Sequence, residues 1–352
     1  MKIPLIYALH SGNLYGTERM ALATAEGLAG EFAPVMLAPP GPALQLAARM
    51  GLETRAFTGV AELSSAVRPL LSRGPQVVFL ATGVTHSLTV IGWNVLLRRR
   101  IAHLHVVHGG ADERLSYGRK RLLNRARVKL VAVSGFVKAR LIANGAAPDH
   151  IRVIENFLPS SRTAGAQRRL RFDSGGIRRI VVISRLDPNK RVDLLLDAFD
   201  RCPALSHLAV RIFGTGWDHA ELRERARLRN PNVTFEGFQP SVDSGIAASD
   251  LLVHLCPAEP FGLAILEAMA AGVPVLVPSS GGAAGIVTEG LSGFHFTAGD
   301  PHSLAARLKE LMQAPADLLN SIVAGGDQTL ATRFSPAARI GDYRRLIQEE
   351  LA

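Results

Sequence analysis

The chain has 352 residues, 47% hydrophobic and 20% charged, a balance that excludes intrinsic disorder and allows two domains of ordinary size, each with its own core. Two cysteines, Cys202 and Cys256, exclude a disulfide framework, and no uncharged apolar run approaches membrane-spanning length, so a cytoplasmic location is expected. The formal net charge of +10 is segregated: residues 1–165 hold 20 Lys and Arg against 9 Asp and Glu, whereas residues 166–352 hold 20 against 21. Such a basic first half suits an anionic partner, whether a membrane surface, a nucleic acid or a charged substrate.

Met1 to Leu9 is too short and proline-broken for a signal sequence, and Ile3 to Leu9 is expected to be a first buried strand. The loop after it carries Gly12 and Gly16 and leads into an alanine- and leucine-rich helix from Met20 to Ala29. A glycine-bearing turn between strand and helix is where a ligand approaches backbone most readily. Neither Gly-x-Gly-x-x-Gly nor Gly-x-x-x-x-Gly-Lys-Ser/Thr occurs, which excludes the dinucleotide fingerprint and the P-loop. Strands are expected at Val35–Ala38 and Val77–Leu80. Ser87 to Leu97 reads as a buried helix whose trailing Arg98–Arg100 offset its dipole, with an interfacial helix as the alternative. His103 to His108 is a strand ending in a histidine and two glycines. At that edge His108 faces a ligand crevice, although a satisfied structural histidine fits the residues equally. Arg114 to Lys129 contains seven cations, and helical spacing would put several of them on one face. Strands at Leu130–Val133 and Ile151–Ile154 close the first domain, and the Ser-, Arg- and Gly-rich Pro159–Gly176 reads as a linker.

The second half opens with a strand, Ile180–Ile183, a loop bearing Arg185 and Lys190, and a leucine-rich helix from Val192 to Phe199. Two cations five apart before a helix converge on one dianion, and a function explains them better than solvation, since cations there oppose the helix dipole. Further strands are Leu208–Phe213, leading into Gly214-Thr-Gly216, and Asn232–Phe235, leading into Gly237-Phe238. The stretch Glu259-Pro-Phe-Gly-Leu-Ala-Ile-Leu-Glu267-Ala-Met-Ala-Ala-Gly-Val-Pro274 lies between strands at Asp250–Leu255 and Val275–Val277. Phe261 to Ala271 is expected to be helical, stopped by Gly272 and Pro274. Backbone N–H groups of Phe261, Gly262 and Leu263 would then face the crevice, a setting suited to phosphate. Glu267, among Leu266, Met269 and alanines, needs a partner or a wet cleft unless both glutamates form a solvated helix face. Ser303 to Met312 is amphipathic, and a last helix runs from about Pro336 to Leu351. Alternating strands and helices in both halves predict an α/β protein with two doubly wound domains.

The frame Glu-Pro-Phe-Gly-Leu…Glu-Ala-Met-Ala-x-Gly-x-Pro-Val resembles the signature of retaining glycosyltransferases of the GT-B fold, family 4. That resemblance implies two Rossmann-like domains facing across a cleft. The domain map becomes residues 1–160 for acceptor binding, 161–177 as linker, 178–332 for the nucleotide-sugar, and 333–352 as a helix crossing back to the first domain. It also implies that Glu259 contacts the transferred sugar, Glu267 the ribose, and His108 the sugar's hydroxymethyl side, while Arg185 and Lys190 hold the donor diphosphate. Gly16, Gly214, Phe238, Phe261, Gly262 and Leu263 complete the expected donor-binding set. Departures from the family pattern are Tyr15 for the first glycine of Gly-Gly-x-Glu-Arg, Ser184 before Arg185, Phe157 after Asn156, and Gly285 where relatives carry glutamate.

The expected activity is metal-independent hexosyl transfer with retention, from a nucleotide-diphospho-sugar to a glycan or lipid-linked acceptor in polysaccharide or glycoconjugate biosynthesis. No Asp-x-Asp pair is present, so neither metal nor cofactor is expected. Reversible contact with an anionic membrane is expected of the basic half, placing the enzyme peripherally on the inner face of the cytoplasmic membrane. No nucleic acid is expected, because aromatics do not interleave its arginines. A GT-B-type epimerase or phosphorylase, or a non-catalytic nucleotide-sugar or nucleic-acid binder, would share many of these features.

Overall fold

A computed structural model describes residues 2–99, 101–110, 112–159 and 168–352. The chain forms two compact units, Met1–Pro159 with Pro336–Ala352, and Ser160–Ser335.

The first unit holds seven strands: β1 (Ile3–Ala8), β2 (Phe32–Ala38), β3 (Glu53–Ala56), β4 (Val78–Ala81), β5 (Ala102–Val107), β6 (Lys129–Ala132) and β7 (Ile151–Val153). All pair in parallel, in the order β3-β2-β1-β4-β5-β6-β7. Helices cover both faces of such a sheet, so its central strands β4 and β5 are buried throughout. The strand order reverses between β1 and β4, and at that point the loops leaving the two carboxyl ends diverge to open a crevice. The final helix, Pro336–Leu351, packs Ile340, Tyr343, Leu346 and Ile347 into this unit. Ile340 comes so near the helix Gly16–Leu28 that a Cβ on Gly27 would stand 2.6 Å from it. Ion pairs Arg344–Glu31 at 2.6 Å and Lys129–Glu350 at 3.9 Å flank the contact.

The second unit holds β8 (Arg179–Ile183), β9 (Ala209–Phe213), β10 (Val233–Gly237), β11 (Leu251–Val253), β12 (Val275–Pro278) and β13 (Phe294–Phe296), again all parallel, ordered β10-β9-β8-β11-β12-β13. Its switch point lies between β8 and β11. Asp250, 5% exposed, pins the amino ends of both strands: its carboxylate accepts from the Arg178 and Arg179 backbone N–H at 3.0 and 2.9 Å and from the Arg169 and Arg179 guanidinium groups at 2.7 and 2.8 Å.

Two sequence expectations are corrected. Within the expected linker, residues 168–177 are docked on the second unit: Arg169 N–H donates to the Ala271 carbonyl at 2.9 Å, Asn320 brackets the Phe172 backbone, and Phe172 and Ile177 enter the core. Composition hid this because two apolar anchors suffice among polar neighbours; residues 161–167 of the expected linker lie outside the described residues. Likewise, Arg114–Lys129 does not form one helical face. It comprises a short helix Glu113–Ser116, a 3-10 segment Gly118–Leu123, a turn, and Lys129 at the head of β6. Gly118 interrupts the helix after Tyr117 buries its ring. Arg114, Arg119, Arg121, Arg125 and Arg127 are exposed, but Lys120 is buried.

Candidate active site

The carboxyl ends of β8 and β11 are adjacent, so the loops that follow them meet. Lys190, on the 3-10 turn Pro188–Lys190, places Nζ 2.7 Å from Glu259 Oε2, and His254 Nε2 lies 3.4 Å from the same oxygen. The Lys190 and Glu259 side chains are only 20% and 15% exposed, so the pair is largely desolvated. Burial alone would raise the Glu259 pKa, but contact with His254 and the Lys190 charge outweigh it and hold the carboxyl well below the usual range. Burial would likewise lower Lys190, and the Glu259 charge overrides it, so the ammonium persists. Cys256 donates its thiol to the Asn189 carbonyl at 3.2 Å, and burial pushes its pKa up to about 11, so it bridges the loops as a neutral group.

The loop after β12 joins from the other side, with Gly282 N–H on the Glu259 carbonyl at 2.6 Å and Ser280 Oγ on that of Pro257 at 2.7 Å. The helix of the motif runs from Leu263 to Ala270, two residues later than expected, because Gly262 at its N-cap takes φ +106°, a left-handed conformation that stops helix there. No side chain caps this end, so its first N–H groups remain available to an anion. The Phe261 side chain turns into the core, edge-on to Phe334 with centroids 5.7 Å apart. Glu267 is half-buried and, four residues on, shares a helical face with Leu263.

Arg185 is 61% exposed and paired with the buried Asp187, whose other oxygen accepts from Trp217 N–H at 3.4 Å. Gly214, at φ +133°, lies against the loop that carries Arg185: a Cβ there would overlap the Ser184 carbonyl oxygen. Phe238 and Trp217 are 67% and 85% exposed, on the loops following the neighbouring strands β10 and β9.

Gly16 and His108 belong to the first unit. Gly16 is the first residue of the helix Gly16–Leu28, and Glu18, in that first turn, accepts from Tyr15 N–H at 3.1 Å in a capping box. His108 lines a cavity of about 350 Å³ at the carboxyl ends of β1, β4 and β5, together with His10, Thr82, Ser116, Arg119 and Lys120. His10 Nδ1 lies 2.8 Å from Thr82 Oγ1. The His108 Nε2 is buried without a partner among the described residues, and burial, aided by the charge His10 would carry, lowers its pKa to about 3. A neutral imidazole of this kind exchanges hydrogen bonds with hydroxyl groups. Lys120 is 7% exposed and donates to the Leu115 carbonyl at 2.9 Å.

The structure therefore brings Lys190, Glu259, Gly262 and Leu263 together in the second unit and sets Gly16 and His108 in the first. Sequence reasoning missed His254, whose polar ring ends an otherwise apolar strand run, and His10, which closes β1 as His108 closes β5. It also missed Trp217, directly after Gly216, and took Lys120 for a surface cation.

Residues 171–328 match the family model of glycosyl transferases group 1, and residues 14–162 match that of glycosyltransferase family 4. The chain belongs to the GT-B glycosyltransferases. Among similar proteins, the lipopolysaccharide core biosynthesis glycosyltransferase LpsE of Rhizobium meliloti is 27% identical over 56% of this chain and 57% of its own length. A GDP-mannose-dependent alpha-mannosyltransferase of Mycobacterium tuberculosis is 28% identical over 51% and 47%. The chain thus spans about half the length of these curated relatives. Anabaena HepE, solved in complex with UDP and glucose, shares the fold with a TM-score of 0.81 at 20% identity, covering 99% of this chain and all of that one. The Ser184 hydroxyl donates to the Arg185 carbonyl at 2.8 Å.

The ion pair at the site sets a pH dependence. The folded pKa of Glu259 lies below its unfolded value, so its stabilisation is complete above the unfolded pKa and is lost as pH falls toward the folded one. Lys190 is raised, so its share is complete below the unfolded lysine value and lost only in strong alkali. Glu259→Gln, which leaves the Lys190 charge buried alone, should cost about 3 kcal/mol at neutral pH. The difference from wild type should stay level from about pH 8 to about pH 5 and narrow below roughly pH 4.3. Denaturant unfolding across that range checks it, and a difference that grows toward acid would refute the assignment.

Proposed function

We propose that the protein is a retaining hexosyltransferase that moves a sugar from a nucleoside-diphosphate donor to a glycan or lipid-linked acceptor in polysaccharide or glycoconjugate biosynthesis. The observation that carries this reading is the desolvated Lys190–Glu259 pair beside the uncapped amino end of the Leu263–Ala270 helix, with Arg185 on the same loop as Lys190. As the bond between the anomeric carbon and the donor phosphate oxygen breaks, negative charge grows on the diphosphate. Lys190, Arg185 and the helix N–H groups stabilise that charge in a site where water screens little. The acceptor oxygen forms its bond to the anomeric carbon on the face the diphosphate leaves, and the departing phosphate oxygen takes the acceptor's proton. Glu259 orients the sugar, and His108 offers a neutral ring to its hydroxymethyl side.

Glu267 takes the ribose hydroxyls, and Gly214, Phe238 and Trp217 border the base. HepE with UDP and glucose, and the GDP-mannose dependence of the mycobacterial relative, support a nucleotide-sugar as donor. In this reading Lys190 and Arg185 take the place of a metal clamp on the diphosphate, and the reaction is metal-independent.

Arg185→Ala and Lys190→Ala should each lower turnover by about 10²–10³ without unfolding the protein, and NMR of the product formed by wild type should show the donor's anomeric configuration kept. Inverted product, or near-normal turnover in both variants, would refute the mechanism.

We further propose peripheral attachment to the cytoplasmic face of a membrane. No helix among the described residues is long and apolar enough to span a bilayer. Exposed Leu115 and Leu122 lie in the same stretch of chain as the exposed Arg114, Arg119, Arg121, Arg125 and Arg127. Each cation near an anionic leaflet contributes about 1 kcal/mol. Co-sedimentation should be strong with anionic vesicles, weak with neutral ones, and lost in high salt or when Arg114, Arg121, Arg125 and Arg127 are changed to Gln. Binding indifferent to lipid charge would sink this part.

A further inference from the structure

Among the described residues most buried charges meet an opposite charge; Glu18, whose carboxyl group accepts from the Tyr15 N–H, and Lys120 do not. Lys190 has Glu259, and Asp250 has Arg169 and Arg179. Lys120 is 7% exposed and has only the Leu115 carbonyl, while no carboxylate among the described residues pairs with it. Burial, with the charge of neighbouring Arg119 adding to it, pulls its pKa down to about 8, so the amine remains largely protonated at neutral pH. An ammonium has three protons to donate, and one carbonyl leaves two unused. A buried cation without a counter-charge is costly, and the cost falls when a ligand brings that charge.

The space for such a ligand is present. The Lys120 side chain lines the cavity of about 350 Å³ with Arg119, His10, Thr82, His108 and Ser116, at the switch point between β1 and β4. Two cations with hydroxyl and imidazole donors around them suit a phosphate dianion better than a singly charged carboxylate. The remaining volume is of the size that holds a small-molecule ligand.

We propose that this cavity binds a phosphoryl group belonging to the acceptor, so that the acceptor is a phosphorylated sugar or a lipid phosphate headgroup, with Lys120 and Arg119 as its cationic determinants. The assignment of the group to the acceptor rests on the transferase reading above; the anion site itself does not.

The test is calorimetric titration of the full chain with glucose 6-phosphate, glycerol 3-phosphate and unphosphorylated glucose, each with and without saturating UDP. Both phosphorylated probes should bind at least about tenfold tighter than glucose, with UDP leaving them undisplaced, and preference between them separates a sugar phosphate from a headgroup. Lys120→Met should weaken phosphate binding about tenfold or more and the exposed Arg119→Gln by less, while Lys120→Arg keeps part of it. If Lys120→Met does not fold, Arg119→Gln and Lys120→Arg decide. Equal affinity for glucose, or variants that bind as wild type, would overturn the site. Competition between UDP and the phosphates would assign the cavity to the donor and overturn the acceptor claim. Failure of UDP to bind while phosphate binding stands would remove the transferase reading and leave the anion site.

Discussion

The candidate site in the second unit depends on one desolvated ion pair. Glu259 and Lys190 belong to different loops, one after β11 and one after β8, where Lys190 ends the short 3-10 turn Pro188–Lys190. Their mutual attraction is strong because water is largely excluded, and it overrides the burial cost that would otherwise neutralise both groups. Cys256 on Asn189 and Gly282 on Glu259 add neutral hydrogen bonds to the same junction. The result is a charge arrangement fixed before any ligand arrives, and in the proposed reaction it would need little reorganisation as negative charge develops beside it.

The two units handle charge differently. In the second, ion pairs close on themselves, as at Asp250, Glu259 and the Arg185–Asp187 pair, and the helix amino end at Gly262 carries no side-chain cap. In the first, buried histidines are held neutral: His103 and His105 share the Ser87 hydroxyl at 3.0 and 2.9 Å, and burial lowers both. Lys120 is a buried cation with no carboxylate paired to it among the described residues. In the function proposed above, a donor site must stabilise a charge that grows during reaction and an acceptor site must recognise one already present.

Much of this was legible in the sequence where residue type and spacing carry a physical constraint. The apolar runs of the central parallel strands, the Glu259–Pro274 frame and the pair Arg185 and Lys190 all have that character. What could not be read depends on tertiary proximity. Glu53-Thr-Arg-Ala forms edge strand β3 with no apolar pattern, because pairing with β2 supplies what its side chains do not. The basic run Arg114–Lys129 looks uniform as a string, yet Gly118 and the burial of Tyr117 turn Lys120 inward while its neighbours stay in solvent. His254 resembles a core histidine until the loop after β11 folds Glu259 back over it. Residues 168–177 look like linker until Phe172 and Ile177 find the core.

The most direct measurement is a crystal structure of the protein with UDP bound. The account predicts the terminal phosphate within hydrogen-bonding distance of Lys190 Nζ and of the backbone N–H groups at Gly262 and Leu263, with Arg185 swung from Asp187 toward it and the ribose at Glu267. A diphosphate bound elsewhere, with Lys190 still engaged by Glu259 alone, would contradict it.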